Sequence, residues 1–78
     1  MILNVVTTEE TVFSGEVDVV VAPGSEGMLG ILPRHTSLLT SIVPGTITAH
    51  KGQEESTIDV SGGFLEVMND VVTVLADS

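Results

Sequence analysis

Apolar and polar residues alternate along this chain in short bursts that glycine, proline or paired polar residues interrupt at close intervals. No stretch settles into a sustained helical period, and β-branched residues are abundant, which is the pattern of extended strands. The alternation predicts strands over residues 1–6, 11–13, 16–22, 28–32, 38–42, 45–50, 56–60, 64–67 and 71–76. In the third of these, Val17, Val19 and Val21 alternate with Glu16, Asp18 and Val20, giving one buried face and one mixed face. Ile47 and Ala49 share a face, and Ile58 and Val60 share one on the returning strand. Turns fall at Glu9-Glu10, at Pro33-Arg34-His35, across residues 51–55, at Ser61-Gly62-Gly63 and at Met68-Asn69-Asp70. Asn69 and Asp70 tolerate the left-handed backbone of a tight reversal.

Short strands with closely spaced turns fit an all-β fold, a small β-sandwich of two packed sheets with about 8–10 short strands. The pattern is also compatible with a barrel. No internal repeat, low-complexity tract or linker divides the chain, so residues 1–78 are expected to form one domain. A domain of this size buries only ~60% of the surface its unfolded chain exposes, so its stability is expected to be modest.

Charge narrows the partner classes. Eleven acidic residues face two basic ones, Arg34 and Lys51, for a formal net charge of −9. That field repels a polyanion and attracts basic proteins or loops, which disfavours nucleic acid. With no cysteine in the chain, a disulfide or Cys-based metal site is excluded. The apolar stretch at 19–22 is far shorter than the ~20 residues a membrane-spanning helix needs. Met1-Ile2-Leu3 lacks the basic start of a secretory signal, so cytoplasmic residence is the expectation.

The segment PGSEGMLGILPRHTSLLTSIVPG, residues 23–45, is dense in glycine and proline yet filled with aliphatic residues. Such spacing implies a tightly folded, shaped path, with Gly24, Gly27 and Gly30 marking places where another backbone approaches. A phosphate loop is a poor account of these glycines: no Lys-Ser or Lys-Thr follows, no helix begins, and the spacing is not G-x-G-x-x-G. His35 and His50 are the only histidines, no nucleophile-elbow pattern is present, and no zinc-ligand spacing occurs. The chain is therefore expected to have no catalytic residue, cofactor or metal of its own.

The string GSEGMLGILPRHTSLLTSIVPG, with NVVTTEETVFSGEV before it and DVSGGFLEV and VTVLADS after it, resembles the epsilon subunit of bacterial F-type ATP synthase. The resemblance runs over essentially the whole chain and covers the amino-terminal β-sandwich of that family. It implies two five-stranded sheets in a non-catalytic central-stalk, or rotor, subunit. Such a subunit links gamma to the membrane rotor ring and couples proton flow to ATP synthesis. Matched residue by residue, Ser25, Glu26, Gly27, Met28 and Leu29 are the implied contacts with the ring (c) subunits. His35, Thr36, Leu38, Leu39 and Thr40 are the implied contacts with gamma. Two positions depart from the family pattern: Met28 stands where many relatives carry an acidic or polar residue, and Ser37 where many carry proline.

Most members continue into an inhibitory helical hairpin, which is absent from these residues; a chain ending naturally at Ser78 is expected to couple without inhibiting. The resemblance further implies a peripheral position on the cytoplasmic face of the bacterial inner membrane, or an equivalent organellar membrane, and a monomeric isolated domain. The rival reading is an autonomous β-sandwich module for a small ligand, sugar or peptide. Against it stands the scarcity of aromatic platforms, since only Phe13 and Phe64 are aromatic.

Overall fold

Period-two alternation places every second side chain of a strand inside, and the computed structural model, which describes residues 1–77, shows where each strand takes that phase. Ser78, the last residue of the expected domain, lies outside the described residues. Among the described residues nine strands form in chain order: β1 Ile2–Val6, β2 Thr11–Glu16, β3 Val19–Gly24, β4 Gly27–Ile31, β5 Leu38–Ile42, β6 Gly45–Lys51, β7 Glu54–Val60, β8 Gly63–Met68 and β9 Val71–Ala76. No helix occurs among the described residues. The all-β sandwich read from the sequence is the architecture found.

Hydrogen bonding joins the strands in the order β2-β1-β9-β8-β5-β3-β6-β7, with β4 on β3. The sheet is thus continuous but curls into two halves, β2-β1-β9-β8-β5 and β4-β3-β6-β7, joined at the single pair Gly24↔Ile42. Five strands lie in one half and four in the other, where the family resemblance implies two fives. All ladders are antiparallel except β1 with β9, which is parallel and pairs Ile2 with Val71 through Val6 with Leu75. At Val43-Pro44 the chain leaves β8 as its partner and enters the other half as β6. Proline suits this corner because it offers no N–H to a ladder, while the Val43 amide donates to the Pro23 carbonyl at 2.9 Å.

The two halves close on one core. Leu3 and Val5 of β1, Leu65 and Val67 of β8, and Val72 and Val74 of β9 meet Val20 and Ala22 of β3, Ile31 of β4, and Ile47 and Ala49 of β6. Val17 and Ile42 complete it, and among the described residues no polar side chain is buried with them. Ile58 and Val60 pack on its margin from β7. In β3 the buried face is Val20 and Ala22, with Val19 and Val21 half-buried, whereas the sequence pattern put Val17, Val19 and Val21 on one face. The reason is a break at Val17-Asp18: β2 ends at Glu16 and β3 starts at Val19, so the alternation changes phase within what reads as one strand.

Turn chemistry fixes the registers. Asn69 and Asp70 have φ of 51° and 63°, the left-handed pair a type I′ hairpin needs between Met68 and Val71. Gly52, with φ 60°, occupies the first central position between paired Lys51 and Glu54, so β6 and β7 run farther than the sequence pattern implied.

Two contrasts test this arrangement. Leu65 is fully buried while its neighbour Phe64 points outward; Leu65→Ala is expected to cost about 2–5 kcal/mol in urea denaturation and Phe64→Ala under about 1 kcal/mol. A Cβ at Gly24 would lie 2.7 Å from the Gly27 carbonyl oxygen and 2.9 Å from Leu29 Cγ, whereas one at Gly30 meets nothing within 4 Å. Gly24→Ala should therefore lose about 1–3 kcal/mol, and Gly30→Ala should be neutral or gain about 0.5 kcal/mol by restricting the unfolded chain.

Candidate functional site

The glycine-rich segment builds a hairpin tip. β3 and β4 pair down to Gly24↔Gly27, leaving Ser25 and Glu26 as the two-residue connection. Gly27 has φ 127°, a conformation L side chains avoid, which explains glycine directly after the turn. Ser25, Glu26, Gly27 and Met28 are exposed, Met28 to 66%, while Leu29 is half-buried against the backbone at Gly24. Of the three glycines expected to admit a close approach, Gly24 does so toward its own hairpin, and Gly27 and Gly30 face open space. The tip is fastened to β5: the Ser25 amide donates to the Ser41 carbonyl at 3.1 Å, and their hydroxyls lie 3.3 Å apart.

At the other end of β5, about 13 Å away at the ordinary strand rise, lies the Pro33-Arg34-His35 turn. His35 and Thr36 are exposed, with His35 Nδ1 2.7 Å from the Thr36 carbonyl oxygen. Leu39 projects outward and is 71% exposed. Leu38 and Thr40 have the opposite phase: both are half-buried on the core-facing side, and Leu38 packs against the core. The segment implied for one partner thus offers His35, Thr36 and Leu39 as its accessible part.

Asp70 braces this end. Its Oδ1 accepts from the Arg34 amide at 2.9 Å, and its Oδ2 stands 3.5 Å from the Met1 ammonium. The Arg34 amide bond, aided by the ammonium charge, holds the Asp70 carboxyl below its ordinary value, outweighing the opposing effect of desolvation. Because the folded value is lowered, this contribution is complete above the ordinary carboxylate range and is lost as pH falls through the lowered value.

A surface that the sequence analysis did not single out adjoins both ends. The outward residues of β5, β8, β9 and β1 align in rows across the sheet: Ser41, Phe64, Leu75 and Val6; then Leu39, Glu66, Thr73 and Asn4; then Met68, Val71 and Ile2. Phe64, Leu75, Met68 and Leu39 are each at least half exposed. Pattern alone conceals them, because an apolar residue in a strand reads as core. The signal that could have found them is apolar residues on both faces of β8 and β9, as in Phe64-Leu65 and Val74-Leu75, with only Glu66 and Thr73 polar on the outward face of these two strands. Beside Leu39 and Met68 lies a shallow, open and mainly apolar hollow of about 260 Å³, lined also by Ser37, Leu38, Glu66 and Val67. It is smaller than the ~300–1,000 Å³ usual for an enclosing ligand pocket.

His50 lies 3.6 Å from Glu55, and His35 is on the crossover between β4 and β5. Among the described residues no three His, Asp or Glu side chains converge as metal ligands, and no helix is long and apolar enough to cross a membrane. The arrangement offers docking surfaces: an exposed tip, an exposed turn, and an apolar sheet face between them.

Comparison with known proteins gives the same architecture a family. The ATP synthase epsilon chain of Dehalococcoides mccartyi is 58% identical over 76 residues, covering 97% of this chain and 54% of that protein. The epsilon chain of Desulforamulus reducens is 50% identical, with 97% and 58% covered. This chain thus spans little more than half the length of these relatives. Among solved structures, a chain of the Euglena gracilis mitochondrial ATP synthase, determined with OSCP, F1 and the c-ring, superposes with a TM-score of 0.90 at 25% identity over 97% of this chain and 49% of that one. A chain from the central stalk and c-ring of the Tetrahymena thermophila mitochondrial enzyme has the same fold, with a TM-score of 0.84 at 14% identity over 100% of this chain and 63% of that one. The family model for the β-sandwich domain of the ATP synthase delta/epsilon chain matches residues 1–78, and the chain belongs to that family.

Proposed function

We propose that this domain is a non-catalytic rotor element of an F-type ATP synthase, which joins the gamma subunit to the membrane ring and transmits torque between them. In this reading the complex, not the domain, meets the membrane, at the cytoplasmic face of a bacterial inner membrane or its organellar equivalent. The observation that carries it is the placement of two exposed segments at opposite ends of one strand, β5, with the apolar face of Leu39, Phe64, Met68 and Leu75 between them. Family membership supplies the context.

The hairpin tip suits the ring. Met28 offers an apolar anchor, Glu26 beside it offers a charge for a basic loop, and the fastening of Ser25 to Ser41 limits the tip's freedom. Exposed ion pairs contribute only about 0–1 kcal/mol each, so packing carries the contact. The other end suits gamma: His35, Thr36 and Leu39 continue into the apolar face of β8 and β9, a patch of the kind that marks protein interfaces. Shape and apolar contact suffice for such a role; no reaction has to be performed here.

Retention on purified gamma–ring complexes tests this reading. Leu39→Asp is expected to weaken binding to isolated gamma about tenfold or more, as loss of a central apolar contact does. Met28→Asp should leave that binding unchanged and lower retention on the ring-containing complex. Wild-type retention by both variants would sink the assignment of these two surfaces.

A further inference from the structure

The crossover from β4 to β5, residues 32–37, is the least supported part of the candidate gamma surface. All six of its side chains are exposed. It nevertheless contains Arg34 at φ 66°, a left-handed conformation that is unfavourable for a long side chain and persists only where its surroundings impose it. Nothing local explains it: the bond from His35 Nδ1 to the Thr36 carbonyl lies within the turn and does not reach Arg34. What reaches Arg34 is a residue 36 positions later in the chain, the carboxylate of Asp70, which accepts its amide hydrogen at 2.9 Å.

Asp70 is well placed for this. It occupies the second left-handed position of the β8–β9 turn, and its own carbonyl accepts from the Ile2 amide at 3.1 Å, so its backbone is fixed from two sides. Its second carboxylate oxygen faces the Met1 ammonium at 3.5 Å, which restricts the side chain as well. One rigid residue therefore connects the start of β1, the β8–β9 hairpin and the crossover.

We propose that Asp70 is a positioning residue for the partner surface: by holding the Arg34 amide it sets the path of the 33–37 turn and so the placement of His35 and Thr36 beside Leu39, which the β5–β8 ladder holds. This rests on the reading of that surface as the gamma contact. If the turn loses its tether, only a fraction of molecules presents the docking conformation, and the apparent affinity falls by that fraction.

The experiment uses Asp70→Gly, which keeps the left-handed backbone and removes the carboxylate, beside Asp70→Asn, which keeps an acceptor oxygen. Amide hydrogen exchange at Arg34 is measured in the protein alone, with the Leu65 and Val74 amides as core controls, and affinity is measured for the isolated gamma subunit. Asp70→Gly is expected to raise exchange at Arg34 about tenfold with the core amides unchanged, and to weaken gamma binding by a similar factor. Asp70→Asn should recover most of both effects, which a general loss of stability would not predict. Unchanged exchange at Arg34 in Asp70→Gly overturns the clamp itself. Faster exchange with unaltered affinity overturns its role in docking while leaving the gamma reading in place. Failure of the unaltered protein to bind gamma overturns that reading and the docking half of the proposal with it, while the exchange measurement still decides whether the clamp exists.

Discussion

Everything else in this molecule depends on the short seam where β3 meets β5. Two backbone hydrogen bonds make it, flanking the pair Gly24↔Ile42: one from the Ser25 amide to the Ser41 carbonyl and one from the Val43 amide to the Pro23 carbonyl. Without the seam, no strand ladder would join the halves β2-β1-β9-β8-β5 and β4-β3-β6-β7. It also explains the local composition. Gly24 admits the Gly27 carbonyl and Leu29 where a side chain would collide, Gly45 admits the Pro23 ring, and Pro44 turns the corner where a donor has no ladder to join. The glycine and proline density of residues 23–45 is the sequence trace of a sheet changing layers.

The seam has a mechanical consequence. The hairpin tip is bonded to β5 at Ser41, and β5 leads directly back to Leu39 and the crossover, so a paired strand rather than a loop joins the tip to Leu39. Interiors packed at crystal-like density transmit strain with little loss, and the core beneath β5 contains Ile42, Leu65 and Val67 without a buried polar side chain. A domain proposed to connect two rotating neighbours needs stiffness along the line joining them. Electrostatics adds little to stiffness: Lys51 and Glu16 are exposed and 3.7 Å apart, a pair of the weakly contributing kind. The large negative charge bears on the choice and approach of partners instead.

What the sequence made legible was set by local rules. The Asn69-Asp70 reversal was readable because these residues tolerate left-handed backbone, and the last hairpin followed from it. The prominence of Ser25–Met28 and His35–Thr36 followed from turn residues lying between aliphatic runs, together with the family resemblance. Phase was less legible. A two-residue break at Val17-Asp18 moved the buried face of β3 to Val20 and Ala22, and Leu38 and Thr40 turned toward the core while Leu39 turned out. Long-range pairings were not legible at all: the parallel β1–β9 ladder and the Asp70 bond to Arg34 join residues far apart in the chain and have no local signature. The outward Phe64, Met68 and Leu75 escaped notice for a different reason, since hydrophobicity records a preference for burial without saying by what.

That last point bears on why so small a domain carries so much apolar surface. At this size the core supplies limited stability, because only ~60% of the unfolded chain's surface is removed from water on folding. Moving Phe64, Leu75 and Met68 inside would demand a thicker sandwich than nine short strands can enclose. Left outside, they are positioned by the same alternation that buries Leu65, Val67, Val72 and Val74 directly behind them. Each apolar side chain later covered by a partner contributes in proportion to the area removed from water, roughly 25 cal/mol per Å² before the costs of association. The backbone of this face is already fixed by its ladders, so the ordering cost subtracted from that gain falls on side chains alone. An apolar sheet face backed by a close-packed core is therefore better suited to contact with another protein than to capture of a small ligand in its shallow hollow.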